Sequence, residues 1–248
     1  LRFTPEEVQT LVQRTYNLDL PLEKAQELCA HAEGWITGIL LSAQSLWQKV
    51  LTDVKSMGTG GIGVYDYMAE QVLAGQPPEI RSFLLRSSVL EEMSPTLCEE
   101  LLGPGDWGQA LDYLLRRNLF VSLLETEDDG PWVRYHALLR DFLRNRLARE
   151  EPFTYFGLER RAAGIYIRRK EWERAAAIYQ RLGDPEELAL LSENVGHQLY
   201  LAGRLTTLAG WLESLPADLF TSRPHLLSLR AIILADRGEL PEALALYD

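Results

Sequence analysis

The chain has 248 residues, 46% hydrophobic and 25% charged, which suits one or two globular domains with a sizeable core. Its formal net charge of −11 at pH 7 opposes nonspecific binding to nucleic acid or to an anionic membrane surface. No apolar run approaches the roughly 20 residues that span a bilayer, and no signal peptide opens the chain.

The first helix opens on Thr4-Pro5-Glu6-Glu7. Thr4 serves as N-cap, Pro5 suits the first helical position, and Glu7 completes a capping box. Val8, Leu11, Val12 and Thr15 then share one face. A second helix, about 22–32, carries Leu22, Ala25, Leu28, Cys29 and Ala32 and ends at Gly34 as its C-cap. A third, about 36–50, turns Ile36, Ile39, Leu40, Ala43, Leu46 and Trp47 inward. Residues 1–56 thus read as a small helical subdomain, too small to stand as an independent domain. Leu1-Arg2-Phe3 reads as a chain already under way. Met57 to Gly63 is rich in glycine, but no Gly-Lys-Ser/Thr follows to make a phosphate-binding loop, so 57–65 is expected to be a flexible linker.

From Asp66 the helical period returns, at about 66–74, 77–88, 94–102 and 107–118. Leu119 to Leu124 is a β-like run, Glu125 to Pro131 a polar acidic turn, and Trp132 to Tyr135 a second alternating strand. Two short strands after several helices, closed by a helix from about 137, describe a winged-helix unit over 66–150. Most such units bind DNA. This one has nine arginines, no lysine and fifteen acids between Asp66 and Glu150, with Glu125, Glu127, Asp128 and Asp129 in the wing itself. Like charge would meet the phosphates there, so direct nucleic-acid binding is not expected. Arg140, Arg144, Arg146 and Arg149 on the last helix read as a solvated or interdomain face. Cys29 and Cys98, far apart in leucine-rich helical patterns, read as buried thiols of a reducing, cytoplasmic compartment rather than as a disulfide or metal pair.

Residues 151–248 repeat themselves. Aligning Lys170-Glu171-Trp172, Gly203-Arg204-Leu205 and Gly238-Glu239-Leu240 gives steps of 33 and 35 residues. Seven positions before each turn stands a small residue (Ala163, Gly196, Ala231), and four before it stands Tyr166, Leu199 or Leu234. Tyr179, Leu212 and Tyr247 follow seven positions after Trp172, Leu205 and Leu240. A period near 34 with these columns is the signature of tetratricopeptide helical hairpins, about three of them with the last incomplete. It ends at Asp248 without a polar capping helix, as expected of a chain truncated there too. The expected fold class is mainly α: a helical subdomain, a winged helix with a small β-hairpin, then an α-solenoid of tetratricopeptide-like hairpins.

No catalytic constellation emerges. His31, His136, His197 and His225 lack metal spacing to Cys, Asp or Glu, and there is no Gly-x-Ser-x-Gly elbow or dinucleotide fingerprint. Paired acids such as Glu6-Glu7, Glu91-Glu92, Glu99-Glu100 and Glu186-Glu187 fit helix starts and exposed faces. His31, His197 and His225 read as structural or surface residues. His136 stands where the second strand meets an amphipathic helix, between Tyr135 and an apolar stripe. It reads either as ordinary packing or as a contact point of a switch.

Several stretches, in order, resemble one family: Leu1-Arg-Phe-Thr-Pro-Glu-Glu7, Glu33-Gly-Trp-Ile-Thr-Gly-Ile-Leu-Leu41, Asp66-Tyr-Met-Ala-Glu-Gln-Val-Leu73, Phe83-Leu-Leu-Arg-Ser-Ser-Val-Leu90, Leu97-Cys98 and Tyr135-His-Ala-Leu-Leu-Arg-Asp-Phe-Leu143. They are similar to the MalT-like branch of signal-transduction ATPases with numerous domains, large bacterial regulators related to the maltose-regulon activator. The resemblance spans about 1–150, and the repeats suit the same architecture. It implies a parent protein with a nucleotide-binding domain upstream of Leu1, often ending in a LuxR-type helix-turn-helix. It implies a resting monomer that holds ADP, and an inducer- and ATP-bound form that self-associates. In the resting state the family's winged-helix histidine meets the nucleotide phosphates, a role that falls on His136. An imidazole can donate to a phosphate oxygen and lose that contact as domains rotate. A Gly-x-Pro near the adenine corresponds to Gly34-Trp35-Ile36. There Ile36 replaces the proline, which keeps an apolar contact but puts the rigid turn in doubt, and Trp35 reads more readily as core than as a contact.

This chain has no Walker A lysine or Walker B acid, so it is not expected to act as an enzyme by itself. ADP or ATP with magnesium is expected in the full-length parent, a slow ATPase, and no cofactor in this fragment. The expected partners are the upstream nucleotide-binding domain and an inducer or protein at the repeats, with no direct nucleic acid and no membrane. The competing reading is a stand-alone tetratricopeptide scaffold for protein–protein interaction.

Overall fold

The computed structural model describes residues 4–7, 9–10, 21–23, 25–26, 70, 73–117, 119–124 and 131–246. The glycine-rich stretch 57–63, the acidic turn at 125–130, Cys29, His31 and the Gly34-Trp35-Ile36 trio lie outside the described residues. At the start of the chain the capping box forms as its spacing predicts. The Thr4 amide donates to Glu7 Oε2 at 2.8 Å and the Glu7 amide donates to Thr4 Oγ1 at 3.3 Å, so two orphan helix donors are satisfied reciprocally. Backbone contacts divide the chain into two compact units, Leu1–Tyr155 and Phe156–Asp248.

The first unit contains, in order, α1 (Pro78–Ser87), β1 (Glu92–Met93), α2 (Pro95–Leu102), α3 (Trp107–Arg116), β2 (Val121–Leu124), β3 (Trp132–Tyr135) and α4 (Ala137–Glu150). Prolines open α1 and α2, where the missing amide costs nothing. Ser94 and Asp106 cap α2 and α3 by accepting the amides of Leu97 and Gln109, each at 3.2 Å. The three antiparallel strands run in the order β1-β3-β2. β1 is an addition to the expected hairpin: a two-residue strand has no alternation to reveal it. It pairs Glu92 with Arg134 and Met93 with Val133. Val133 and Tyr135 point inward and Arg134 outward, where it forms an ion pair with Glu92. Leu84, Leu97, Leu101, Leu111, Leu114, Val133, Leu143 and Leu147 form the core, each no more than 1% exposed. Each such side chain contributes about 1.5–3 kcal/mol over its exposed form. Cys98 is a free buried thiol in the same core, and burial pushes its pKa up to about 12.

Helix α5 (Pro152–Arg168) leads into the second unit, followed by α6 (Trp172–Leu182), α7 (Pro185–Leu201), α8 (Leu205–Glu213), α9 (Ala217–Ser222), α10 (Pro224–Asp236) and α11 (Leu240–Ala245). Three helical hairpins, α5/α6, α7/α8 and α10/α11, turn at the aligned positions. Lys170, Gly203 and Gly238 are all left-handed, with φ of 61°, 70° and 83°. The next amide closes the same bond in each copy: Glu171 to the Tyr166 carbonyl at 2.9 Å, Arg204 to Leu199 at 2.8 Å and Glu239 to Leu234 at 2.9 Å. That is the Schellman closure, which glycine makes without a Cβ penalty. Lys170 alone carries a side chain there. Lys170→Gly is therefore expected to raise stability by about 0.5–1 kcal/mol, read as the shift in urea midpoint at constant slope; a loss of stability would contradict it.

The joints between hairpins differ. Two residues, Gly183 and Asp184, connect α6 to α7, whereas 214–223 separates α8 from α10 and holds α9. Pro224 cannot sit beyond the first turn of a helix. So α10 starts there and has 13 residues, against 17 in α5 and α7. The chain before it folds into the separate short helix. No helix of the described residues is long and apolar enough to cross a membrane.

Candidate functional site

His136 is the residue between β3 and α4. It is part-buried and stands at the N-cap of α4 with φ −58° and ψ 134°, and its side chain makes no capping bond to the helix. Its backbone is fixed at both ends. The amide donates to the Phe120 carbonyl at 2.8 Å, and the carbonyl accepts the first bond of α4 from the Arg140 amide at 3.0 Å. Phe120 is itself a left-handed non-glycine residue at φ 54°, nine-tenths buried, directly before β2. Such a conformation costs about 1–2 kcal/mol for a side chain of this kind, and the surrounding packing and the His136 bond hold it.

Tyr135 anchors the neighbouring position. Its hydroxyl lies 2.8 Å from Ser87 Oγ, and Ser87 Oγ lies 2.6 Å from the Phe83 carbonyl. Ser87 has one proton and gives it to Phe83, so Tyr135 is the donor to Ser87. Burial raises the Tyr135 pKa far above the usual phenol range, which keeps that proton in place. The end of β3 is thus tied to α1 by Tyr135 and to the foot of β2 by His136. The arrangement presents an imidazole at the start of a 14-residue helix, on a backbone with little freedom. Imidazole nitrogens can donate to an anion, and the helix start adds a favourable field.

Arg140, Arg144 and Arg146 of α4 are paired with acids of the same unit. Arg146 pairs with Glu70 and, at 2.9 Å, with Glu150; Arg144 lies 3.0 Å from Asp141; Arg140 lies 3.7 Å from Asp141 and 3.9 Å from Glu91. The bond from Arg146 holds the Glu70 carboxyl below its usual pKa. Pairs of this exposure each contribute about 0–1 kcal/mol, so their main effect is to neutralise the cationic face. Of the other histidines expected at the surface, His197 is exposed beside Tyr200, with ring centroids 6.2 Å apart, and His225 is exposed. Gly34, Trp35 and Ile36 lie outside the described residues. Two features of the His136 mount, the Phe120 conformation and the Tyr135–Ser87–Phe83 chain, have no local signal: the first is a single bulky residue between two elements, the second a contact across 48 residues.

Residues 69–155 match the family profile of the MalT winged helix domain. The chain is 31% identical over 228 residues to the serine/threonine-protein kinase PknK of Mycobacterium tuberculosis, covering 91% of this chain and 20% of that protein. It is 28% identical over 254 residues to the HTH-type transcriptional regulator MalT of Serratia proteamaculans, covering 100% and 28%. With MalT of Yersinia enterocolitica the identity is 31% over 239 residues, covering 93% and 26%. The chain therefore spans between about a fifth and just over a quarter of the length of these relatives. On these matches the chain is MalT-like, with the MalT winged helix domain at its residues 69–155.

Proposed function

We propose that this chain is the regulatory and sensor part of a nucleotide-switched regulator. In this reading the winged helix holds the ADP-bound resting state, and the helical hairpins are tetratricopeptide repeats that sense or transmit an inducer. The observation that carries it is the pair of relatives. A protein named as a kinase and a protein named as a transcriptional regulator share the segment at equal identity, 31%. A segment common to two different outputs is explained by control rather than by either output. The upstream domain of the parent would supply the Walker residues, ADP or ATP and magnesium. His136 fits the role of phosphate contact because its imidazole does not cap its own helix and its backbone is pinned by Phe120 and Arg140. Gly34, Trp35 and Ile36 would meet the adenine from the helical subdomain. The activated, ATP-bound parent would self-associate in the cytoplasm.

The test is His136→Ala in the full-length parent. Loss of one hydrogen bond to a charged phosphate should speed ADP release about tenfold or more and raise basal output. ADP retained on the purified protein, measured after gel filtration, is the readout. Unchanged occupancy would rule the contact out. The hairpins by themselves also suit a stand-alone scaffold for protein partners; that reading predicts no Walker A motif encoded before Leu1.

A further inference from the structure

The joint at α9 borders an open cavity of about 340 Å³ between α8, α9 and α10. A volume of that order suits a small organic ligand. Leu212, Leu215, Phe220 and Ile233 give it an apolar wall, and Arg230 and Arg237 lie on its lining with one acid, Glu213. In a chain of net charge −11 this cavity has more cations than acids. The two arginines are differently held. The Arg230 guanidinium carbon sits 5.3 Å from the centroid of the Phe220 ring. Among the described residues it has no acidic partner within ion-pair distance. The cation–π attraction of the ring holds the group in place and leaves its N–H donors available. Arg237 is 3.5 Å from Glu213, with the two side chains 47% and 69% exposed; a pair so solvated contributes little and exchanges readily.

The cavity exists because the repeat is broken there. At the α6–α7 joint two residues suffice, and the hairpins pack directly. Between α8 and α10 the prolines at 216 and 224 set off α9 as a separate six-residue helix, and its Phe220 becomes both a wall of the cavity and the platform for Arg230. Insertions in repeat arrays map to one face, often the one used for binding.

We infer that this cavity is a binding site for a small organic anion, a carboxylate on an aromatic or branched apolar body, with Arg230 as its principal anion contact. The inference rests on reading these hairpins as the sensing part, and it adds the chemistry of what is sensed. The apolar body lies against Leu212, Leu215 and Ile233, and the carboxylate takes the N–H donors of Arg230, with Arg237 released from Glu213 as a second partner.

The probe is naphthalene-1-acetate, compared by titration calorimetry with its neutral amide on the whole 248-residue chain. Saturable binding of the acid is expected, with the amide about tenfold weaker or more, the range for one bond to a charged group. Arg230→Met keeps the stem on Phe220 and should lose that preference. Arg237→Met should weaken the acid less, because Glu213 already competes for that arginine. Far-UV circular dichroism on each variant shows that the fold is kept. Absence of saturable binding, equal binding of the amide, or an Arg230→Met variant that binds as well as the parent would each overturn the proposal. So would a dimer, seen by sedimentation, whose formation excludes the probe, since the cavity would then belong to a second copy. ADP retention by the full-length parent is indifferent to all of these outcomes, so failure here leaves the nucleotide reading standing.

Discussion

Gly196→Leu is expected to destabilise the second unit by about 2–3 kcal/mol, while Gly196→Ala stays within about 1 kcal/mol of the parent. Gly196 lies inside α7, facing α10. A Cβ built on it would come 2.6 Å and 2.9 Å from the two methyls of Leu229 and 3.3 Å from its Cγ. Leu229 is itself 7% exposed and has little room to withdraw. An alanine there gains about 0.8 kcal/mol of helix propensity over glycine and costs a similar amount in displacing two methyl groups. A leucine adds three carbons for which no space exists, so the helices must separate. That would weaken the coupling of the second hairpin to the third, because α10 packs on α7 as well as on α8. Urea unfolding followed by far-UV circular dichroism separates the two substitutions. A leucine variant as stable as the alanine variant would show that α10 shifts freely.

That same position shows what the sequence makes legible. Ala163, Gly196 and Ala231 form one column of the repeat, and all three are buried small residues in the first helix of a hairpin. Tyr166, Leu199 and Leu234 form another, and their carbonyls close all three turns. Periodicity exposes such positions because the same steric requirement recurs every 33 or 35 residues. Helix starts were equally readable at Thr4 and near Ser94, where the caps are local chemistry. Trp132 to Tyr135 alternate and pair as an alternating strand should. What escaped has no local rule. Glu92–Met93 is a strand only because Arg134 and Val133 lie beside it. Phe120 is left-handed because its neighbours hold it so. The cavity at α9 depends on three helices whose contacts are tertiary, though the prolines at 216 and 224 were a sign that the third hairpin would start differently. For the site, His136 was placed at the strand–helix junction from its neighbours alone, but its hydrogen bond to Phe120 could not be.

Glu159→Leu should cost the second unit about 2–3 kcal/mol, and adding Arg181→Leu should restore at least half of that. Nothing near Leu158-Glu159-Arg160-Arg161 marks Glu159 as internal, yet its side chain is 0% exposed. It is held by a two-point bond, Arg181 Nε to Oε1 at 3.2 Å and the Arg181 terminal nitrogen to Oε2 at 2.7 Å, which joins α5 to α6 within the first hairpin. A buried carboxylate has surrendered its hydration, and only this geometry offsets the loss. Removing the acid alone leaves a guanidinium in a place shaped for an ion pair. Arg181 is 30% exposed, so water relieves part of that penalty and the loss falls below the 3–5 kcal/mol of a wholly buried pair. Removing both charges abolishes the desolvation cost on each side and leaves two apolar side chains in contact. The coupling energy from the cycle of single and double variants therefore measures how far the pair holds the hairpin beyond its packing. Glu159→Gln adds a further arm, since it keeps shape and one acceptor while deleting the charge, and about 1 kcal/mol is expected for it. A cycle with no coupling would mean that α5 and α6 are joined by their apolar faces alone, with the ion pair a consequence of that packing rather than a contributor to it.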